Sequence, residues 1–256
     1  MIILIIALFP VFWMLISSFK NDVDIQTLPP KIIFTPTTNN YIDIFKNYPF
    51  LQDTLNSVYI SFGSTILGLI LGVPAAYAAS KFLMKKYAFL TFIARMAPGN
   101  LFLIPWFIIA SRWGMTNHVF TIILTHTVIT LPVIIWLMIS FFDDVSNEVE
   151  EAARVDGASR WAVLLKVSLP MAMPGIAVSS VLAFVFSWNY FLFALVLAGF
   201  NTTPLTVLAF NFIGEASVDW GGLMAAATLI SLPALILVMF IQRWLVRGLT
   251  AGAVKG

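Results

Sequence analysis

The sequence predicts an all-α membrane protein with six transmembrane helices, and three observations carry that reading. Apolar residues fill 60% of the 256 positions and charged residues only 10%, too few to wet a soluble domain's surface, where roughly a quarter is typical. Mean hydropathy is +0.95. Six apolar stretches can be drawn, at about 1–19, 54–80, 87–111, 117–141, 175–199 and 223–245. Each can cross or nearly cross a ~30 Å hydrocarbon layer as a helix, the form that closes its own backbone hydrogen bonds in lipid. The whole chain, 1–256, reads as one transmembrane domain.

The first stretch, Met1 to Phe19, has the apolar character of a signal peptide but no basic start and no small-residue cleavage site before Lys20. It reads as a first span that begins abruptly, with a short basic leader expected upstream. A polar stretch, 20–53, separates it from the second span. There Ser64, Gly68, Gly72 and Ala76 recur at steps of four, which makes one helix face of small residues. Such faces let helices approach closely where lipid offers no hydrophobic force between them. A basic turn at 81–86 leads to the third span, a short turn near Arg112 to the fourth, and a charged loop at 142–174 to the fifth. A polar loop, 200–222, precedes the last span and a basic tail. Pro74, Pro98, Pro105, Pro132 and Pro233 lie in or beside spans, where neighbours can satisfy the freed carbonyls.

Orientation follows from the basic residues. With the 142–174 loop in the cytoplasm, Lys81, Lys85, Lys86, Arg154, Arg160, Lys166, Arg243, Arg247 and Lys255 share its side; Lys20, Lys31, Lys46 and Arg112 lie opposite. That bias obeys the positive-inside rule and places both termini in the cytoplasm. The chain is expected to cross its membrane several times. A net charge of +2 gives no reason to expect nucleic acid.

What the spans lack bears on mechanism. No aspartate or glutamate falls in the centre of any span, whereas proton-driven carriers rely on intramembrane carboxylates as relays. Sodium coupling through backbone carbonyls stays open on this ground. Arg95 lies close enough to the cytoplasmic end of its helix to snorkel. His126 has the chemistry to bond a substrate hydroxyl or, equally, a neighbouring helix. There is no cysteine, and His118 and His126 are the only histidines, so no metal site is expected. A phosphate-binding G-x-x-x-x-G-K-[ST] loop is also missing from the sequence, so energy must come from a partner chain.

The 142–174 loop is the most informative segment. A helical run contains Glu151, Ala152 and Ala153; Asp156 and Gly157 follow, and glycine permits a turn that a β-carbon would resist. A second amphipathic run, Trp161 to Val167, ends at Leu169-Pro170, where proline is expected to stop the helix. Such a segment makes a knob for a partner's groove, and its composition suits a solvated interfacial loop equally well.

These residues resemble the signature loop of ABC importer permeases: Glu151-Ala152-Ala153, Gly157 and Leu169-Pro170 match its E-A-A, glycine and L-P, with Val167 in place of the usual isoleucine. The resemblance extends over nearly the whole chain to carbohydrate permeases of the maltose type, second membrane subunit. It is carried by Pro10 to Lys20, Asp219-Trp220-Gly221, Leu223 to Ala227 and the tail Arg247 to Gly256. Trp188-Asn189 matches a recurring pair, but Tyr190 stands where the family commonly has an acidic residue.

The resemblance implies the type I ABC importer permease architecture, with the loop as a cytoplasmic coupling helix. It implies as partners a second permease subunit (usually a different chain), two ATPase subunits, an external solute-binding protein and a small-molecule carbohydrate. ATP and Mg would be bound by the ATPase partner, leaving this subunit non-catalytic and without a cofactor. Glu151 would pair with an arginine of the ATPase. Gly248, Leu249, Thr250, Gly252 and Lys255, in the tail, would reach the ATPase interface. The outer loop from Phe200 to Gly222, with Asn201, Thr202, Thr203 and Asn211, would contact the binding protein. Ser187, Trp188, Asn189, Tyr190 and His126 are the candidate substrate path, offering aromatic faces and an amide; helix packing is the competing role for each. A secondary carrier working without an ATPase gives no reason for the E-A-A loop. A membrane enzyme would want clustered carboxylates, histidines or cysteine at one interface. Within the ABC class, the cargo stays open among sugar, polyol, glycerol phosphate and other polar solutes.

Overall fold

Residues 2–82, 84–214 and 217–251 are described by a computed structural model, residues 2 and 240–251 by backbone alone. In chain order the helices are α1 Ile2–Ser17, α2 Asp22–Gln26, α3 Asn39–Asn47, α4 Phe50–Lys81 and α5 Lys85–Arg95. A 3₁₀ turn, Gly99–Phe102, leads into α6 Leu103–Arg112, followed by α7 Val119–Asp143 and α8 Asn147–Val155. Next come α9 Arg160–Val163, a π-helical stretch Leu164–Ser168, α10 Leu169–Met171, α11 Met173–Asn189 and α12 Leu192–Leu197. The described chain ends with α13 Leu205–Leu208, a second 3₁₀ turn Ala209–Phe212 and α14 Trp220–Ala251. Among the described residues, β pairing is confined to an isolated bridge between Ile213 and Val218.

Three of these helices are long and apolar enough to cross a membrane unaided: α4, α7 and the Trp220–Met239 part of α14. The centre of the molecule is α4 packed along α7, with α11 against both. The small-residue face of α4 explains the close fit. A β-carbon on Gly68 would come within 2.7 Å of Ile134, and one on Gly72 within 2.8 Å. Gly72→Val is therefore expected to cost about 1–3 kcal/mol by overpacking. Gly63→Ala should cost less, because its tightest contact would be with Cδ1, the flexible end of Ile123. Apparent melting temperatures of the two purified variants check this.

Two expected spans are not continuous. The stretch 87–111 is broken between Arg95 and Gly99, its halves bent by 91°. Pro98 lacks an N–H and drives the residue before it out of the helical region, so the ladder cannot run through. The stretch 175–199 is interrupted after Asn189 at an extended Tyr190, and resumes as α12. The helix expected to stop at Leu169-Pro170 extends one residue further. The helix runs on to Met171 and turns by 80° only there, into α11. Its widened π stretch, where the Leu169 N–H bonds back to the Leu164 carbonyl, accommodates the proline ring without ending the helix. At 16 residues α1 is about 24 Å long.

The polar connections expected as loops are partly helical and docked. Asn40 Nδ2 donates to the carbonyls of Ser18 and Lys20 at 2.8 and 2.9 Å. Asp22 accepts from the Gly221 N–H at 2.7 Å. Asn56 Nδ2 holds the carbonyls of Asn201 and Thr203, both at 3.0 Å. The second span starts four residues before its expected boundary, at Phe50, so Asp53 falls in its first turn and is fully buried.

Candidate functional sites: a docking knob and a membrane-depth cavity

The knob is built from α8, the Gly157 turn and the helix Arg160–Met171. Ser146 caps α8 by accepting the Glu148 N–H at 3.2 Å, and Ser159 caps α9 by accepting the Ala162 N–H at 3.3 Å. Gly157 has φ +89°, the left-handed conformation that favours glycine, so the turn expected from sequence is present. Glu151, Ala152, Asp156 and Gly157 are all exposed, and Ala153 is partly so. Glu151 and Gly157, with Arg154 and Arg160, border an open hollow on the knob's surface.

Sequence reasoning missed the residue that fixes this knob. Glu150, next to the exposed Glu151, turns inward and is 8% exposed. Its carboxylate accepts from Ser168 Oγ at 2.7 Å and from the Tyr77 hydroxyl at 3.3 Å, and it pairs with Lys81 at 3.5 Å. Lys81 also donates to the Val145 carbonyl at 2.8 Å and to Asn147 Oδ1 at 2.9 Å. The Arg160 guanidinium stacks 5.1 Å over Phe82. The inner limb of the knob, its outer limb and the end of α4 thus meet at one carboxylate. Leu169 and Pro170 lie on the knob's last turn before α11; Leu169 packs against the main core cluster and Pro170 is exposed. Helical phase gave no signal for Glu150, because Val149 and Val155, the large apolar residues of α8, are exposed.

The tail residues divide. Gly248, Leu249 and Thr250 continue α14 as helix, so the tail's first part is not irregular chain. Gly252 and Lys255 lie outside the described residues.

The five candidate path residues do not share one surface. Ser187 is buried and bonded within the bundle, to Ser64 Oγ at 2.8 Å and to His126 Nδ1 at 2.9 Å. Trp188 is buried too, its indole N–H donating to the Ile230 carbonyl at 2.9 Å. Asn189 is exposed and donates to the Val185 carbonyl at 2.9 Å. His126 is 1% exposed and makes the neighbouring-helix bond, with Nε2 unpartnered among the described residues. Its ring meets Tyr190 edge-on, centroids 5.5 Å apart.

Tyr190 alone of the five lines a membrane-depth cavity of about 550 Å³. The cavity forms where the two broken spans touch: a β-carbon on Gly99 would strike the Tyr190 hydroxyl. Phe102, Trp106, Phe186, Tyr190 and Phe193 supply aromatic wall, and Arg95 supplies charge. The Arg95 guanidinium, expected to snorkel, lies 4.6 Å over the Phe186 ring. Irregular backbone at membrane depth is tolerated where it is buried in protein or lines a cavity, and interrupted helices are a recurring way to build transport sites.

Comparison with known proteins bears on both sites. Residues 65–251 match the family model for the binding-protein-dependent transport system inner membrane component. A probable ABC transporter permease of Sinorhizobium fredii is 34% identical over 98% of this chain and 91% of its own. The trehalose transport system permease SugB of Mycobacterium tuberculosis is 32% identical over 98% of this chain and 93% of its own. In three dimensions the chain resembles a subunit of a bacterial ABC transporter involved in the import of the acidic polysaccharide alginate. The TM-score is 0.77 at 23% identity, covering 94% of this chain and 92% of that one. From the shared sequence and fold, the chain belongs to the family of inner-membrane permease components of binding-protein-dependent ABC transporters.

Proposed function

We propose that this chain forms half of the membrane path of an ATP-driven importer that takes up a carbohydrate or related polar solute. The other half is a second permease subunit, a different chain. An external solute-binding protein delivers the cargo, and two ATPase subunits bind ATP and Mg and hydrolyse ATP. The chain itself contributes no bond chemistry. It crosses the membrane six times, by α1, α4, the bent α5–α6 pair, α7, α11 with α12, and α14, with both termini and the knob in the cytoplasm.

The observation that carries this reading is the knob's construction. Glu151 is presented outward while Glu150 is locked to α4. A partner gripping the exposed side moves a bundle helix and not a loose loop, which is what rigid-body switching between inward-open and outward-open packing needs. A trehalose permease among the relatives favours a carbohydrate cargo.

The test is uptake of radiolabelled sugars into liposomes holding the complete complex with ATP enclosed. Accumulation is expected only with ATP, ATPase and binding protein all present. Uptake at an unchanged rate without the ATPase would overturn the proposal in favour of a carrier.

A further inference from the structure

We infer that the cavity at the two helix breaks is a subsite for a carbohydrate bearing an anionic group, a carboxylate or sulfonate, with Arg95 as the residue that reads the charge. This rests on the proposed transport function and narrows its substrate class.

Charge is the first argument. Among the cavity's lining residues Arg95 is the sole ionisable group apart from the Tyr190 phenol, and the lining holds no carboxylate. Among the described residues Arg95 makes no ion pair; its recorded partner is the face of Phe186. Arg95 ends α5, ten residues beyond Lys85, which places it about 15 Å along the helix from the basic turn and inside the third apolar stretch. Intramembrane charges are costly and face cavities or partners. A guanidinium held there without a carboxylate is a donor fork awaiting one, since its geometry matches carboxylate-type oxygens in pairs.

The walls are the second argument. Trp106 and Phe193 meet at 6.5 Å, and Tyr190 and Phe193 at 5.6 Å, giving a joined aromatic surface in the lining that also holds Arg95. The apolar C–H faces of a pyranose ring suit such a surface, while lipid tails have no use for the charge. Contact with the Phe186 ring, 4.6 Å from the guanidinium carbon, holds Arg95 beside this wall. Few polar groups beside an apolar wall is the usual make-up of a small-molecule site.

The test uses the assembled permease and ATPase complex in detergent without the solute-binding protein, which removes that protein's own selectivity. Saturation-transfer NMR titrations compare matched pairs: glucuronate with glucose, galacturonate with galactose, and 6-sulfonated glucose with glucose. In at least one pair the anionic sugar should bind about tenfold or more tighter, the scale of a hydrogen bond to a charged group. Arg95→Gln should abolish that preference, and Arg95→Lys should keep its sign at reduced size. Trp106→Leu, which retains the charge, should weaken both members of a pair alike and tests the site if the glutamine variant fails to assemble. Equal binding within every pair, a preference that survives Arg95→Gln, or no sugar binding would overturn the inference. ATP-dependent uptake of a neutral sugar alongside equal binding would leave the transport function standing, whereas absence of any ATP-dependent uptake would remove both.

Discussion

Glu150→Ala is expected to leave the ATPase subunits bound while cutting solute moved per ATP at least about tenfold. Removing one partner of a buried charge pair costs about 3–5 kcal/mol, and here the loss falls at the junction of three elements. Lys81 keeps its bonds to Val145 and Asn147, so the knob stays folded on that side. Ser168 and Tyr77 lose their acceptor, and the outer limb is freed from α4. Motion imposed on the knob would then be absorbed there and not passed to α4, which packs along α7 and α11. Glu150→Gln keeps an acceptor for Ser168 and should retain most of the coupling. Simultaneous measurement of ATP hydrolysis and uptake in liposomes checks the prediction; a normal transport ratio in the alanine variant would show that Glu150 is not the pin.

Glu151→Lys should act differently, by breaking the complex. Glu151 is exposed and held in place by a capped helix, so its reversal disturbs no internal contact. If it pairs with an arginine of the ATPase, losing one side of that pair costs about 2–5 kcal/mol, so retention of the ATPase should fall at least about thirtyfold. The variant should stay monodisperse with an unchanged melting temperature. Copurification of untagged ATPase gives the readout, and full recovery would mean that docking runs through other residues. The two neighbouring glutamates thus separate transmission from attachment.

The physical basis of that separation is helical phase. Adjacent residues on a helix point about 100° apart, so Glu150 and Glu151 belong to opposite environments although the sequence writes them alike. The same limit explains the membrane-depth residues. Trp188 and Tyr190 are two positions apart, yet one is buried against α14 and the other lines the cavity, because the helix ends between them at Asn189. The aromatic character of this segment was legible; its division between core and cavity was not. Arg95 was legible as an unusual charge within an apolar stretch, but its contact with Phe186 of α11 was not.

Composition and periodicity determined by themselves the membrane class, the approximate apolar stretches and a charged loop with a glycine turn, since each is set by local chemistry that lipid or the backbone enforces. Side-chain size at steps of four likewise announced the α4 face that meets α7. Tertiary structure decided where two spans break, which carboxylate anchors the knob and which aromatics surround Arg95. Those outcomes depend on contacts between residues far apart in the chain, such as Glu150 with Tyr77 and Gly99 with Tyr190, and no local pattern encodes which distant face a side chain will meet.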